Sequence, residues 1–417
     1  MNPPSLSVYF RQILVGWGFL ALLLIGYTDF TNLSTVVNAD YLMTFHTAGW
    51  IADHNQFDIL YPQDGASTFA GEPFDLKAHE LLPLLKEYAV AEYMYMPASA
   101  YLFAPFSRLS PCFSLFAFQV VSFILMALSA CFTLGFKPIS RWFSATLALL
   151  AFIPTFFTLW IGQVGLAFGL FPLTAGYMLS QRGMNFAAGF CFAMLALKPQ
   201  MLVPAVFVLA LSLFQKRFSA LLGFVLGGAT LIAVNYFVMG QKLLLSWFEC
   251  LKLSDKIYSD PTNGVPVRLA TSLPRAILLA LPADSRAMCK PLVYGVSLLL
   301  LLAGIALVYS AARSNLKDED KTRLSLITGC LALPCVVPHL FLYDLCVLAP
   351  VGWLAFAGGF KSIRGLVSLL WISVTIYCLT LVSFPDMVSP VILVAIFVFI
   401  YLTALFNLYI HKVKASA

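Results

Sequence analysis

Twelve stretches of the chain are apolar over a length that reaches or approaches that of a membrane-spanning helix, which needs about 20 residues. They cover residues 12–28, 112–135, 142–160, 164–180, 184–197, 201–214, 218–239, 291–312, 322–337, 341–358, 365–383 and 389–410. Only 11% of the 417 residues are charged, whereas a soluble domain carries about 25%. The sequence therefore predicts an all-α, polytopic integral membrane protein with about twelve transmembrane helices.

The positions of Lys and Arg predict the orientation of these helices. The first apolar stretch lacks a small-residue cleavage site after it, so we interpret it as a retained helix that starts from a cytoplasmic N-terminus. With that start, the short turns on the opposite side contain one cation, Lys198, whereas the short cytoplasmic loops and the C-terminal tail hold at least twelve, as the positive-inside rule requires. The cytoplasmic cations are Lys137, Arg141, Arg182, Lys216, Arg217, Lys317, Lys321, Arg323, Lys361, Arg364, Lys412 and Lys414. Both termini are predicted to be cytoplasmic in a cell inner (plasma) membrane, and the net charge of +6 gives no reason to expect a nucleic-acid partner.

Two long connections then fall on the extracytoplasmic side, the first loop (residues 29–111) and the second loop (residues 240–290). The apolar segment 97–110 is short and contains Pro105, and a crossing there would invert every later connection. We interpret it as a re-entrant or interfacial helix. The amphipathic stretches 41–53 and 76–92 are predicted to lie at the same interface.

The fifth and sixth apolar stretches are short and meet at Lys198, Pro199 and Gln200. Broken helices at membrane depth are tolerated where they are buried in protein or line a polar cavity. This break therefore predicts a functional site instead of a plain turn.

The nine cysteines do not indicate a disulfide framework, because most of them lie inside apolar stretches. Cys250 and Cys289 share the second loop, and the sequence leaves open whether they pair. No cluster of His and Cys has the spacing of a metal site. We predict no metal and no cofactor.

Polar residues from separate parts of the chain are predicted to lie at one depth, on the extracytoplasmic side. They are Asp40, Gln163, Lys198, Gln200, His339, Tyr343 and Asp344. Ionisable groups are costly within a membrane, so they are candidates for function. Each also has a structural interpretation: Asp40 as a helix cap, Lys198 as a snorkelling cation, His339 as a core residue, Asp344 as an ion-pair partner and Gln163 as a bridge between helices. The run Tyr93–Pro97 is typical of an interfacial aromatic belt, with a platform for a sugar ring as the alternative.

The order of these motifs resembles glycosyltransferase family 87, which includes polyprenyl-phosphate-mannose-dependent mannosyltransferases. The resemblance extends from about residue 12 to residue 360 and is carried by these motifs: Asp40-Tyr41, Tyr61-Pro62, Tyr95-Met96-Pro97 with Pro105, Gly162-Gln163, Lys198-Pro199-Gln200, Pro338-His339 and Tyr343-Asp344. It implies a GT-C fold over residues 1–417, with the first loop as the catalytic loop.

The resemblance also implies an activity: transfer of a sugar, mannose or a similar hexose, from a polyprenyl-phosphate donor to a lipid or glycan acceptor on the extracytoplasmic face. Asp40 matches the family's catalytic aspartate and would act as the general base. Lys198 and His339 are the candidates to stabilise the leaving phosphate. The remaining candidates for donor-phosphate and substrate binding are Gln200, Gln163, Tyr61, Tyr95, Tyr343 and Asp344. A soluble nucleotide sugar is disfavoured, because such a site faces away from the cytoplasm.

Two other functions compete with this interpretation. A transporter or flippase for a lipid-linked or small solute would also use broken helices and an intramembrane cation, but the sequence has no convincing internal repeat. A non-catalytic scaffold in cell-envelope assembly would tolerate replacement of Asp40, Lys198 and His339 together.

Overall fold

The computed structural model describes residues 6–260, 267–358, 360–384 and 388–416. Within these ranges the chain is helical, and its β-structure is a single bridge between Ala270 and Phe341. The first ten α-helices are α1 (Leu6–Thr31), α2 (Leu33–Val36), α3 (Thr47–Asp53), α4 (Pro73–Leu81), α5 (Ala104–Ser107), α6 (Pro111–Leu134), α7 (Ile139–Leu149), α8 (Ile153–Trp160), α9 (Phe171–Gln181) and α10 (Asn185–Ala193). The other nine are α11 (Leu202–Phe214), α12 (Phe218–Val234), α13 (Gln241–Tyr258), α14 (Leu273–Ala280), α15 (Ala283–Ala312), α16 (Asp318–Val336), α17 (Ala349–Phe356), α18 (Arg364–Ser383) and α19 (Pro390–Ser416).

Six helices of the described chain are long and apolar enough to cross a membrane, and a bent pair would make seven. Their outward faces carry large exposed apolar side chains such as Leu23, Val225 and Ile392, which in water would be an aggregation hazard. The protein is therefore a polytopic membrane protein. The other predicted spans coincide with shorter helices, so the count of twelve and the GT-C fold stay predictions.

The predicted span 142–160 is not one straight helix. Helices α7 and α8 meet at an angle of 83°, and Pro154 lies in the first turn of α8. Proline lacks the N–H that would continue the preceding helix and restricts the residue before it. The apolar composition of this stretch was predictable, but its continuity was not.

Helix α16 is the centre of the bundle. Nearly every residue from Lys321 to Cys335 is buried, and α16 packs against α9, α11, α15, α17 and α19. A helix that is apolar all round is buried on every side. Its C-terminal end at Val336 places the next residues, which include His339 and Asp344, beside the first loop.

The first loop is folded around its own apolar core, which includes Tyr41, Phe45, Tyr93 and Phe103, and helix α13 of the second loop adds Trp247 and Cys250 to it. In the amphipathic stretch 76–92 only the first residues are helical. Helix α4 ends at Leu81, because Leu82 precedes Pro83 and proline disfavours helical backbone before it. Segment 97–110 forms a turn of 3-10 helix over Pro97–Leu102 followed by α5, too short to span a bilayer.

Cys250 and Cys289 are both free thiols. The Cys250 Sγ instead donates to the backbone oxygen of Tyr93, at 3.6 Å. This contact holds α13 against the first loop, so the structure resolves the question that the sequence left open.

Helices α10 and α12 cross where each presents a glycine. A Cβ at Gly223 would lie 2.0 Å from the carbonyl oxygen of Phe186, whereas a Cβ at Gly228 on the same helix meets nothing within 4 Å. We expect Gly223→Ala to destabilise the protein by about 1–3 kcal/mol because it forces the helices apart. Thermal unfolding in detergent, with Gly228→Ala as the matched control, measures this. Equal unfolding temperatures for the two variants would contradict it.

Candidate functional site

Four polar side chains from distant parts of the chain form one continuous network. The Gln163 Nε2 donates to the Asp40 carboxylate, and the Gln163 Oε1 accepts from the Lys198 Nζ at 3.2 Å. The same Nζ lies 2.6 Å from the Asp344 Oδ1. Lys198 and Asp344 are 2% and 0% exposed. One residue from each of four sequence motifs therefore meets in this site: Asp40-Tyr41, Gly162-Gln163, Lys198-Pro199-Gln200 and Tyr343-Asp344.

Glycine at position 162 allows Asp40 to reach Gln163. Gly162 has a φ of +68°, and a Cβ there would lie 2.5 Å from the Cβ of Tyr41. The backbone N–H of Tyr41 donates to the oxygen of Ile161 at 3.1 Å. Both the left-handed turn and the close approach require glycine, so this turn is the point where the first loop docks onto the membrane helices.

The helix break at Lys198 is present as the sequence predicts. One-turn 3-10 helices, Met194–Leu197 and Pro199–Met201, flank Lys198. The cation does not snorkel to the surface. It is turned inward onto Asp344 and lies 5.2 Å from the centre of the Tyr343 ring, which adds a cation–π contact.

Asp344 is the ion-pair partner that the structural interpretation foresaw. Besides Lys198, its Oδ2 accepts from the backbone N–H of Phe341 at 3.3 Å and lies 3.5 Å from the Gln200 Nε2. Each buried carboxylate oxygen thus has a donor or a cation beside it. This arrangement fixes the 3-10 helix Leu342–Leu348 to the helix break.

Asp40 is not a helix cap. It occupies the position before the helical turn Tyr41–His46, but its side chain makes no capping hydrogen bond. The carboxylate is half-buried. Burial raises its pKa above the ordinary 3.8, and the Gln163 hydrogen bond and the Lys198 charge oppose that rise. A carboxylate with a raised pKa is a better proton acceptor than an exposed one.

The two predicted tyrosines of the first loop have different positions. The Tyr61 hydroxyl donates to the backbone oxygen of Tyr95 at 2.6 Å, so Tyr61 orients the neighbouring segment. Tyr95 packs on Phe45 and Phe168. Burial raises the pKa of its phenol to about 12, with smaller effects of the Lys198, Asp344 and Asp40 charges. Tyr95 therefore lies beside the network, and the hydrogen bond of Tyr61 fixes the backbone of Tyr95.

His339 lies apart from the network. Its Nε2 is 3.0 Å from the Asp255 Oδ1 on α13, and about a third of its side chain is exposed. No hydrogen bond in the described part of the chain joins it to Asp40, Gln163, Lys198 or Asp344. Sequence order alone grouped His339 with those residues. The structure places it on another wall, facing the second loop.

Glu92 and Tyr258 are two residues near the site that the sequence analysis missed. The Tyr258 hydroxyl, in the last turn of α13, donates to the Glu92 carboxylate. Burial raises the pKa of Glu92 to about 7, the Tyr258 hydrogen bond opposes the rise, and the Asp40 charge adds to it. Glu92 directly precedes Tyr93–Pro97, a run interpreted as an aromatic belt. The sequence signal that could have identified Glu92 is its position directly before this aromatic run.

The fold and this site define a class: a polytopic membrane protein with a buried charge network between its helices and a folded first loop. The model of glycosyltransferase family 87 matches residues 93–337, more than half of the chain, so the chain belongs to that family. Comparison with curated proteins and with solved structures gave no match. The protein is therefore a membrane glycosyltransferase.

The Lys198–Asp344 pair gives a prediction about stability. Lys198→Met would leave Asp344 buried without its cation, and we expect a loss of about 3–5 kcal/mol, as when one partner of a buried pair is removed. In the double variant Lys198→Met with Asp344→Leu the uncompensated charge is gone, so stability should return. Thermal unfolding of the purified protein measures both effects.

Lys252→Met is the control for this experiment. Lys252 pairs with Glu249 on the surface, where the two side chains are 71% and 65% exposed, and such pairs contribute little. Its loss should leave the unfolding temperature unchanged. If Lys198→Met were as stable as Lys252→Met, the buried pair would not contribute the predicted free energy to the stability of the protein.

Proposed function

We propose that the protein transfers a hexose, mannose or a similar sugar, from a polyprenyl-phosphate donor to a hydroxyl group of a lipid or glycan acceptor. The site would face the extracytoplasmic side of the cell inner membrane, with both termini in the cytoplasm. The observation that carries this proposal is the half-buried Asp40 carboxylate, held by Gln163 beside the buried Lys198. An inverting glycosyl transfer needs a proton acceptor for the attacking hydroxyl and a positive charge for the leaving phosphate, and Asp40 and Lys198, with Gln163 between them, supply one of each.

The proposed step is a direct displacement at the anomeric carbon. The acceptor oxygen attacks that carbon, and its proton passes to Asp40 as the new C–O bond forms. The bond between the anomeric carbon and the phosphate oxygen breaks, and its electron pair stays on the phosphate. The products are the glycosylated acceptor, the polyprenyl phosphate and a protonated Asp40, which then releases its proton to water.

Lys198 has two roles in this scheme. Gln163 and Asp344 account for two of the three N–H bonds of its ammonium group within the described chain. The third is available to the leaving oxygen, where negative charge develops. Its positive charge also keeps the Asp40 carboxylate ionised, since it opposes the rise in pKa that burial causes.

The Glu92–Tyr258 pair suits the acceptor side of the reaction. A carboxylate accepts hydrogen bonds from sugar or polyol hydroxyls, and the charge of Asp40 acts on Glu92. Two carboxylates within electrostatic reach of each other disfavour a phosphate group between them but not a neutral hydroxyl. Glu92 would thus help to hold the acceptor next to the base.

The direct test is a transfer assay with the purified protein in lipid, supplied with polyprenyl-phosphate-linked sugars and a membrane-lipid extract. We expect Asp40→Asn to lower the turnover about 10²–10⁴-fold, because the amide cannot take the proton. Asp64→Asn is the matched control, since Asp64 lies in the same loop and is exposed. Normal turnover in a well-folded Asp40→Asn variant would exclude Asp40 as the base.

The pH dependence gives a second test. Only the ionised Asp40 can act as a base, so the rate should rise with pH along a limb that lies above the carboxyl's ordinary pKa of 3.8. Gln163 donates to that carboxylate and lowers its pKa. Gln163→Ala should therefore move the limb to higher pH. A limb that stays in place in Gln163→Ala would assign the titration to another group.

A further inference from the structure

Arg275, in the first turns of α14, is a buried cation with an unused donor. Its side chain is 8% exposed. The Nη1 donates to the Ser259 Oγ at 3.2 Å, while the buried Nη2 has no hydrogen-bond acceptor among the residues that the structure describes. A buried guanidinium with an unpaired N–H costs a protein stability. Such a group is expected where an anionic ligand completes it.

The backbone fixes Arg275 beside the segment that carries His339. The Thr271 N–H donates to the oxygen of Leu340 at 2.8 Å, and the Ser272 Oγ donates to the oxygen of Pro338 at 3.2 Å. These bonds hold the start of α14 against residues 338–341. The backbone position of Arg275 is therefore set by hydrogen bonds of the residues just before it.

Several cations lie around Arg275, with Asp255 as a counter-charge. Burial is the main cause that lowers the pKa of His339; the charges of Arg275 and Lys290 lower it further, and Asp255 raises it. For Arg275 itself, burial lowers the pKa, the charge of Asp255 raises it and the charge of Arg286 lowers it. Asp255 is 62% exposed and lies against His339, so the buried charge of this region is that of Arg275.

Tyr258 lies between the two regions. Its hydroxyl donates to Glu92, its ring packs on Phe341 with the centres 5.9 Å apart, and it lies within electrostatic reach of both Asp40 and Arg275. A substrate that extends past Tyr258 would meet carboxylates at one end and cations at the other. This polarity matches a sugar that is linked to a phosphate.

We infer that Arg275, together with His339, binds the phosphate group of the lipid-linked donor. An arginine fork matches two phosphate oxygens at once, and the free Nη2 supplies a donor for one of them. In the proposed step Lys198 acts on the leaving oxygen, but Asp344 balances its charge, so the other phosphate oxygens need a second cation. This inference rests on the proposed function, since it names the donor-phosphate site of the same reaction.

The test is ligand-induced thermal stabilisation of the full-length protein in lipid nanodiscs, with polyprenyl monophosphate as the probe. Polyprenol without phosphate and inorganic phosphate are added separately. Wild type should be stabilised by polyprenyl monophosphate but not by polyprenol, and a response to inorganic phosphate alone would point to a free-phosphate site and overturn the lipid-linked assignment. Arg275→Met should lose the stabilisation and raise the donor KM about tenfold or more, with the acceptor half-saturation unchanged.

The unliganded variant separates binding from a structural role. Removal of an uncompensated buried charge should leave the unfolding temperature of Arg275→Met equal to or above that of wild type, whereas loss of a structural arginine would lower it. Arg108→Gln is the control for a change in net charge, because Arg108 pairs with Asp53 on the surface of the first loop. It should behave as wild type.

Two results would overturn the inference: equal stabilisation of wild type and Arg275→Met by polyprenyl monophosphate, or an Arg275→Met variant that unfolds at a lower temperature without ligand. Neither depends on turnover. If polyprenyl monophosphate bound through Arg275 but no sugar was transferred from any donor, the proposed function would be wrong and the phosphate site would remain supported. If Arg275→Met transferred sugar normally, the phosphate site would be wrong and the proposed function would remain supported.

Discussion

The buried ion pair of Lys198 and Asp344 is the interaction on which the rest of the site depends. Lys198 lies in the break between α10 and α11, and Asp344 follows the central helix α16, so the pair joins two breaks in the helical bundle. Two charges in an apolar interior are tolerated only when each satisfies the other. The remaining hydrogen-bonding capacity of Lys198 then reaches Gln163 and, through it, Asp40. The geometry of the proposed base is therefore set from within the membrane bundle and not by the first loop that carries it.

Helix α13 gives the second loop a place in the same site. It packs on the first loop through Trp247 and Cys250, and its last turns contact both walls of the site, Glu92 through Tyr258 and His339 through Asp255. One amphipathic helix thus spans the carboxylate side and the cationic side. Electrostatic separation of this kind orients a substrate that is neutral at one end and anionic at the other.

The predictions from sequence were accurate where a local rule decided the outcome. The break at Lys198 follows from a polar residue before Pro199. Composition did not show where a helix is interrupted. The apolar stretch 142–160 bends between α7 and α8, just before Pro154, and in the amphipathic stretch 76–92 helix α4 ends before Pro83. In both cases hydropathy described the environment of the residues, while proline decided the path of the backbone.

By itself, the sequence determined that this is a polytopic membrane protein, that its helices break at Lys198, and that Asp40, Gln163, Lys198 and Asp344 are unusual polar groups; its motifs also indicated the family. The tertiary structure decided which of those groups meet. Lys198 contacts Asp344 across about 146 positions of chain, whereas His339, only five positions from Asp344, faces Asp255 instead. Glu92 and Arg275 became visible only through their burial and their neighbours. The physical reason is that periodicity and composition describe a residue's local backbone and its solvent, while the partner of a charge is set by how distant helices pack.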